Sequence, residues 1–418
     1  MKLGGEGYSP GLLKKIEYAG GNHRSFEVAS DSLAKLAEFE ISAKHVERLT
    51  ERLGRERAGL RDAAALAMEK RLLRSKYKQA PAMAVISIDA GKAQFRAEDK
   101  GPGVHNARWG DTKVACLQTY SDIEHTSDPQ PEPPEAFLNP KRVEQLCREM
   151  EHVRGTGEVK SSKDKLPQDQ AQDDKSKKKK KKKKSKRNRA KRLVRTVVAT
   201  TQKVEPFGWM VSAEAMSRKM YAAKKRAIVG DGGNWVDPLA QLHFPDWIQI
   251  LDFLHLLVHL FAAARMAHIG DAKASWTLYE KMLRDAWAGR ATEVINTLQS
   301  QLKELKNKNA KAHEVVELAM NYVDRNQHRM DYPHYRQLGL PVGSALVESL
   351  IKQINHRVKG TEQFWNNGGL EAILQVRAAY LSHDDRAEKH HEHRPRGSAI
   401  GSNRAQKRSK SGKFQLVG

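Results

Sequence analysis

Apolar positions recur at helical spacing through the first part of the chain, in LLKKIEYAGG, SFEVASDSLAKLAEF and SAKHVERLTERLGRERAGLRDAAALAMEKRLL. Ser30 or Asp31 and Ser42 are the candidate N-caps of these helices. The pattern changes from residue 82 onward. MAVISIDA and KAQFRAE alternate on either side of Ala90-Gly91, as the arms of a hairpin would, and KVACLQTY and RLVRTVVATT supply two further strands. After residue 203 the helical period returns: EPFGWMVSAEAMSRKMYAAKK reads as a helix, AIVGDGG as a strand and turn, PDWIQILD as a strand and FLHLLVHLFAAARMAHIG as an apolar helix. Residues 272–330 hold only helical patterns.

An antiparallel start followed by strand–helix–strand–helix predicts a mixed α/β fold with an RNase H-like core, an N-terminal helical (helix-turn-helix-like) domain and an all-helical insertion. The expected divisions are 1–78 (helical), 79–125 and 192–270 (two parts of the core), 126–191 (a disordered Pro- and Lys-rich insertion, in which KRVEQLCREMEHVR is a candidate helix), 271–335 (helical insertion), 336–385 (C-terminal core helices) and 386–418 (a basic flexible tail). Three basic helices with tight Gly or Ser junctions fit a DNA reader with the helix after Ser42 as recognition element; a plain bundle or dimerisation arm fits equally.

Charge narrows the partners. The 418 residues carry 74 Lys and Arg against 50 Asp and Glu, a net charge of +24, which favours a polyanion and, above an anionic membrane, nucleic acid. No stretch reaches the ~18 apolar residues of a membrane span, and MKLGGEGYS lacks a signal-peptide core, so a cytoplasmic, nucleoid-associated protein is expected. Cys116 and Cys147 supply neither a disulfide framework nor a CxxC zinc site. The run Lys177, Lys178, Lys179, Lys180, Lys181, Lys182, Lys183 and Lys184 suits non-specific phosphate binding through counterion release, or is a tolerated expansion without a role. Lys352, Arg357 and Lys359 are further candidates for phosphate contact, or belong to a solvated helix face.

Three carboxylates stand where a two-metal nuclease needs them. Asp89 ends AMAVISID, Asp231 follows AIVG, and Glu348 lies in the helical LPVGSALVESLIKQ. Two Mg²⁺ ions about 3.5–4 Å apart can activate an attacking oxygen and stabilise a leaving one, and hard carboxylate oxygens suit them. Asp89 would bridge the metals, with Asp231 and Glu348 at the flanks. From spacing alone, two Asp-turns and a solvated glutamate explain these residues as well. Asp252 and His255 share a helix face at i, i+3 and fit either support of the metal site or a helix cap beside a core histidine. His255 and His259 lack the intervening Glu of a zinc protease, and no GxxxxGK[ST] is present. HHEHRPR at 390–396 reads as part of the flexible tail rather than a chelator, and Trp365 as a packing residue more readily than a base-stacking one.

The strings VISIDAGK, RTVVATT, RAIVGDGGNWV, HFPDWIQILDFLHLLVHLFAAA and GSALVESLIKQINHRVK…FWNNGGLEAILQVRAAYLS resemble, in order, motifs of the ISKra-family DDE transposases, bacterial insertion-sequence enzymes related to the Mutator group. The resemblance spans roughly residues 8–385. It implies an Asp, Asp, Glu triad on Asp89, Asp231 and Glu348, a D-x-x-H pair on Asp252 and His255, a Mg²⁺ cofactor for which Mn²⁺ can substitute, cleavage of DNA at the element's ends and strand transfer into target DNA. Joining two ends implies a homo-oligomer in the DNA complex. The chain departs from the pattern at Ala345, where the family often has glycine, and in the long insertion between Asp89 and Asp231. The expected function is therefore a DNA transposase. A non-catalytic DNA-binding protein that keeps the fold, and a nuclease without strand transfer, are the alternatives.

Overall fold

The computed structural model describes residues 8–96, 108–150, 190–306, 309–343, 345–360 and 363–394. In chain order the elements are α1 (Pro10–Asn22), α2 (Phe26–Ala37), α3 (Ala43–Glu69), β1 (Met83–Phe95), β2 (Arg108–Tyr120), α4 (Pro140–Glu149), β3 (Arg192–Thr200), α5 (Val204–Ser217), β4 (Lys225–Gly230), α6 (Val236–His243) and β5 (Ile248–Leu251). Then come α7 (Phe253–Ala267), α8 (Ala272–Trp287), α9 (Ala291–Leu305), α10 (Ala310–Asn326), α11 (Tyr332–Gln337), α12 (Ala345–Val358), α13 (Asn367–Leu381) and α14 (Arg386–His393).

The five strands form one mixed sheet in the order β3-β2-β1-β4-β5. β1 runs antiparallel to β2, β2 to β3, and β4 and β5 run parallel to β1. Alternate residues of β1 face opposite ways. Ala84, Ile86 and Ile88 join the cluster built by α5 and α6. On the other face Met83 and Val85 pack under α7, whereas Ala93 and Phe95 pack under α12 and α13. That face is thus shared by two helical layers, and the seam between them crosses β1 near Ser87 and Asp89.

Several expectations are corrected. Ala90-Gly91 is not a turn: β1 continues to Phe95, with Ala90 paired to Lys113 and Gly91 to Thr112. The inward alternation Gly91, Ala93, Phe95 has apolar cover to bury against, and a Cβ at Gly91 would lie 2.8 Å from the Thr112 hydroxyl. Ser25, not Ser30 or Asp31, caps α2, accepting from the Val28 N–H at 3.2 Å, while the Ser30 hydroxyl donates to the Ile41 carbonyl. Ser42 caps α3 as expected.

The segment from 126 to 150 is not a disordered start to the insertion. Phe137 stacks on Phe253, and Val143, Cys147 and Met150 enter the α7–α11 core, because apolar positions at helical spacing meet an apolar face there. The lysine run lies outside the described residues. Residues 386–394 are no loose tail either: the α14 segment docks on α1 and α3 through the His391–Glu17 and Arg394–Glu56 pairs at 2.7 Å, so His390 and His391 serve packing. The inner face of α3 is committed to α13, where Gly54 lies so close that a Cβ would meet the Ala372 carbonyl oxygen at 2.2 Å; Lys44, Arg48 and Arg55 point outward. Both cysteines are buried and free. Among the described residues no helix is long and apolar enough to cross a membrane.

Candidate metal centre

Parallel register brings the two aspartates level. Ser87 pairs with Val229, the last β1–β4 pair, so two residues further on Asp89, midway along β1 rather than at its end, stands level with Asp231, just past the end of β4. Gly230 pairs with Leu251, which puts Asp252 next in the row, and its N–H donates to the Gly230 carbonyl at 2.8 Å. Asp252 caps α7 by accepting from the Leu254 N–H at 3.2 Å, and its other oxygen holds the His255 Nδ1 at 2.5 Å. The Phe253 N–H donates to the Val342 carbonyl at 3.0 Å, which ties the segment leading into α12 to the start of α7. Glu348, in the first turn of α12, is thereby brought to the same point.

Two sets of ligand atoms result. Asp89, Asp231 and His255 place theirs within 4.8 Å of one another, and so do Asp252, His255 and Glu348. His255 belongs to both sets, so residues 89, 231, 252, 255 and 348 form one cluster at the seam. Asp89, Asp252 and His255 are buried, while Asp231 and Glu348 are half-buried. The expected triad and its D-x-x-H pair are therefore in one place. His259 is not part of the cluster: it stacks on Tyr322 with ring centroids 4.0 Å apart, and burial pushes its pKa down to about 3.

The local chain is shaped for this. Asp89 Oδ1 accepts from the Ala90 N–H at 2.7 Å, and Asp231 Oδ1 from the Gly233 N–H at 2.9 Å, which fixes both carboxylates. Gly232 turns the chain with φ +76, and a Cβ there would meet Leu251, Asn326 and Tyr322 within 3.0 Å. From α10, the Tyr322 hydroxyl donates to the Asp231 carbonyl at 2.8 Å and Arg325 to the Gly232 carbonyl at 3.1 Å. Sequence reasoning missed these two props. Their signal was a Tyr and an Arg at i, i+3 in AHEVVELAMNYVDRN, which looks like any helix face.

Electrostatics follow from crowding in a dry seam. Burial raises the Asp89 carboxyl to about 7; the His255 charge opposes this and Asp231 adds to it. For His255 burial works downward, but the hydrogen bond and charge of Asp252, with Asp89 and Asp231, outweigh it and lift the imidazole to about 10. An imidazolium therefore sits among four carboxyl groups. The donor set is mostly hard oxygen, which suits Mg²⁺ or Mn²⁺ and not a thiophilic ion.

The remaining candidates divide. Arg357 is 1% exposed, its guanidinium lies 4.5 Å from the Phe26 ring centroid and 5.2 Å from that of Trp365, and its Nε donates to the Gly20 carbonyl at 2.9 Å. It cannot reach a phosphate; three methylenes and a planar cation between two rings make it a packing residue. Trp365 is buried with it, its indole N–H donating to the Val358 carbonyl at 2.8 Å. Lys352 is exposed and pairs with Glu149 at 2.5 Å, and Lys359 is exposed with its Nζ 5.3 Å from the Trp109 ring centroid. No protein-family model and no curated protein matches this chain.

Proposed function

We propose that this chain is a DDE-type DNA transposase, a Mg²⁺-dependent phosphoryl-transferase that cuts phosphodiesters at its element's ends and joins the freed 3′-hydroxyl to target DNA. The observation that carries the reading is the convergence of Asp89, Asp231 and Glu348, from three distant parts of the sequence, on one seam with Asp252 and His255. The sheet order, with its antiparallel first half and parallel second half, supports an RNase H-like core, and α8–α11 ahead of Glu348 support the all-helical insertion. The net charge of +24 supports a polyanionic substrate.

In this reading Asp89, on the central strand, with Asp231 and Glu348, would hold the metal ions. When bound, paired Mg²⁺ would supply activation of the attacking water or 3′-hydroxyl and stabilisation of the leaving oxygen. Because the Asp89 carboxyl stands at about 7, ligation there competes with a proton near neutrality. Asp252 aims the His255 ring, and the imidazolium can hold a phosphate oxygen beside the carboxylates. Synapsis of two ends would require a homo-oligomer on DNA.

The test is a cleavage and joining assay with Mg²⁺ on duplexes that carry the DNA flanking the gene, comparing wild type with Asp231→Asn. Metal-dependent joining that the substitution abolishes is the expected result. Cleavage without joining would leave a nuclease, and salt-sensitive binding with neither would leave a DNA-binding protein.

A further inference from the structure

Beyond the sheet proper, β1 and β2 run on as a two-stranded ribbon. β4 leaves β1 at Ser87 and β3 leaves β2 at Lys113, so residues 90–95 and 108–112 have no further strand beside them. The ribbon starts at Asp89. Its inner face is closed: Ala93 and Phe95 are buried in the α12–α13 cluster, Phe95 folds across Gly110, where a Cβ would lie 2.4 Å from the ring, and Gly91 lies against Ile351 of α12. The edge is pinned as well. The Arg96 N–H donates to the Trp365 carbonyl at 2.9 Å, and the Trp365 N–H to the Gln94 carbonyl at 3.0 Å. This is a braced platform, fixed to the helix that carries Glu348.

Among the described residues the outer face is open at Lys92, Trp109 and Asp111, which are exposed, while Ala90, Gln94 and Lys113 are half-buried. Register places Trp109 opposite Gln94, Lys92 opposite Asp111 and Ala90 opposite Lys113 on that face. Trp109 is 48% exposed, and of the seven tryptophans it alone is exposed. Lys92, Arg96, Arg108 and Lys359 are exposed around it, and Asp111 is the one acidic residue among the described residues of the ribbon beyond Asp89. An aromatic plane set among cations is the composition that single-stranded nucleic acid selects, since the ring stacks on any base and the cations follow the phosphates.

We propose that the outer face of this ribbon is a stacking platform for an unpaired base of the DNA strand whose phosphate enters the carboxylate seam, with Trp109 as the stacking ring. This rests on the proposed function for the identity of the polymer as DNA. Trp109 stands opposite Gln94, five residues beyond Asp89. At ~3.3 Å per residue that is roughly 17 Å, about five nucleotide steps at ~3.4 Å each. Because 3.4 Å is the rise of a stacked duplex strand and an unpaired strand extends further per nucleotide, the stacked base should lie within about five nucleotides of the scissile phosphate.

The test uses the full chain in EDTA, so that it does not depend on catalysis, and titrates single-stranded oligothymidylate and a blunt duplex of equal length. Intrinsic tryptophan fluorescence should be quenched by the single strand. Trp109→Leu should remove that quench and weaken single-strand binding roughly 5- to 150-fold, the equivalent of one lost stack, with far less effect on the duplex. Trp109→Tyr should restore much of the affinity. Single-strand affinity unchanged in Trp109→Leu, or no preference for the single strand in wild type, would overturn the platform. If either occurs while Mg²⁺-dependent cleavage persists, the platform fails and the proposed function stands. A wild-type protein that binds neither DNA form in EDTA overturns the platform, and the proposed function falls with it only if Mg²⁺-dependent cleavage and joining are absent as well.

Discussion

Glu17 offers the sharpest test of how the helical shell is held. It is fully buried on α1, and accepts from Arg57 Nε at 2.6 Å and Nη2 at 2.9 Å and from His391 Nε2 at 2.7 Å, with the Tyr380 hydroxyl at 3.3 Å. Four helices, α1, α3, α13 and α14, therefore meet on one carboxylate. Burial alone would raise its pKa, but the hydrogen bonds and charges of His391 and Arg57 outweigh it and hold the group down at about 2, from an ordinary value of 4.5. At 1.36 kcal/mol per pK unit that difference corresponds to about 3 kcal/mol of stability. The folded-state value lies below the unfolded one, so the contribution is fully present above pH ~4.5 and is lost as the pH falls towards 2. Glu17→Gln keeps the shape, removes the charge and leaves the buried Arg57 one neutral amide oxygen in place of the carboxylate, beside the Arg386 and Ala387 carbonyls at 3.3 and 3.1 Å. We expect a loss of about 3 kcal/mol, at the lower end of what breaking a buried pair costs. Urea unfolding of both proteins at about pH 7 and about pH 3 measures it, and the gap should narrow at the lower pH. A gap under about 1 kcal/mol at neutral pH, or one that does not shrink on acidification, would refute the reasoning.

Three further outcomes follow from the site and its supports. Gly232→Ala forces a Cβ into the left-handed region and against Leu251, Asn326 and Tyr322, so it should cost about 1–3 kcal/mol and displace Asp231, read as weaker Mg²⁺ or Mn²⁺ binding by calorimetry. Asp252→Asn removes the strongest upward influence on the His255 imidazole, so burial should win and the ring should titrate below its present value of about 10, visible in an NMR pH series of the histidine signals; an unmoved signal would count against the pairing. Arg357→Leu should lower stability through the lost ring stacking and the Gly20 bond, yet leave the salt dependence of DNA binding unchanged, because the side chain does not reach solvent.

Much of this architecture can be read from the chain because its periods are strong. The alternation in AMAVISID and RTVVATT and the apolar saturation of FLHLLVHLFAAA leave little choice of element, since a buried strand and a buried helix differ in length and period. The carboxylates were legible for a related reason: each aspartate follows a short β-branched run, which places Asp231 just past the end of β4, although Asp89 stands midway along β1, where the pairing with β4 stops, and not at a strand end. What failed was punctuation. Ala90-Gly91 looks like a turn until Phe95 is seen to need burial across Gly110, a contact supplied by another strand. Arg357 looks like a phosphate ligand until Phe26 and Trp365, over 300 positions and eight positions away, close on it. Phe137, Val143 and Met150 sit in a proline- and charge-rich stretch whose apolar face has meaning only against α7 and α8. Each error concerns a partner distant in sequence, which local pattern cannot name.

The proposed site also sets a constraint that net charge conceals. On the proposed reading a charge of +24 would draw DNA to the surface, yet the seam that would act on it holds four carboxyl groups against one imidazolium. A phosphate brought to about 4 Å from one uncompensated carboxylate meets roughly 4 kcal/mol of repulsion at an effective dielectric of about 20. Distant lysines do not remove this cost, because their field is screened within ~8–10 Å in physiological salt. Divalent cations between the carboxylates and the phosphate reverse its sign. On the proposed reading, metal and DNA therefore bind with positive coupling, and by linkage each must tighten the other by the same factor. Anisotropy titrations of a labelled duplex with and without Mn²⁺, beside Mn²⁺ titrations with and without the duplex, should return equal ratios. Asp231→Asn should reduce both ratios together, since it removes repulsion and metal affinity at one stroke. Wild-type DNA affinity indifferent to the metal would mean that the polymer binds elsewhere on the basic surface and never enters the seam.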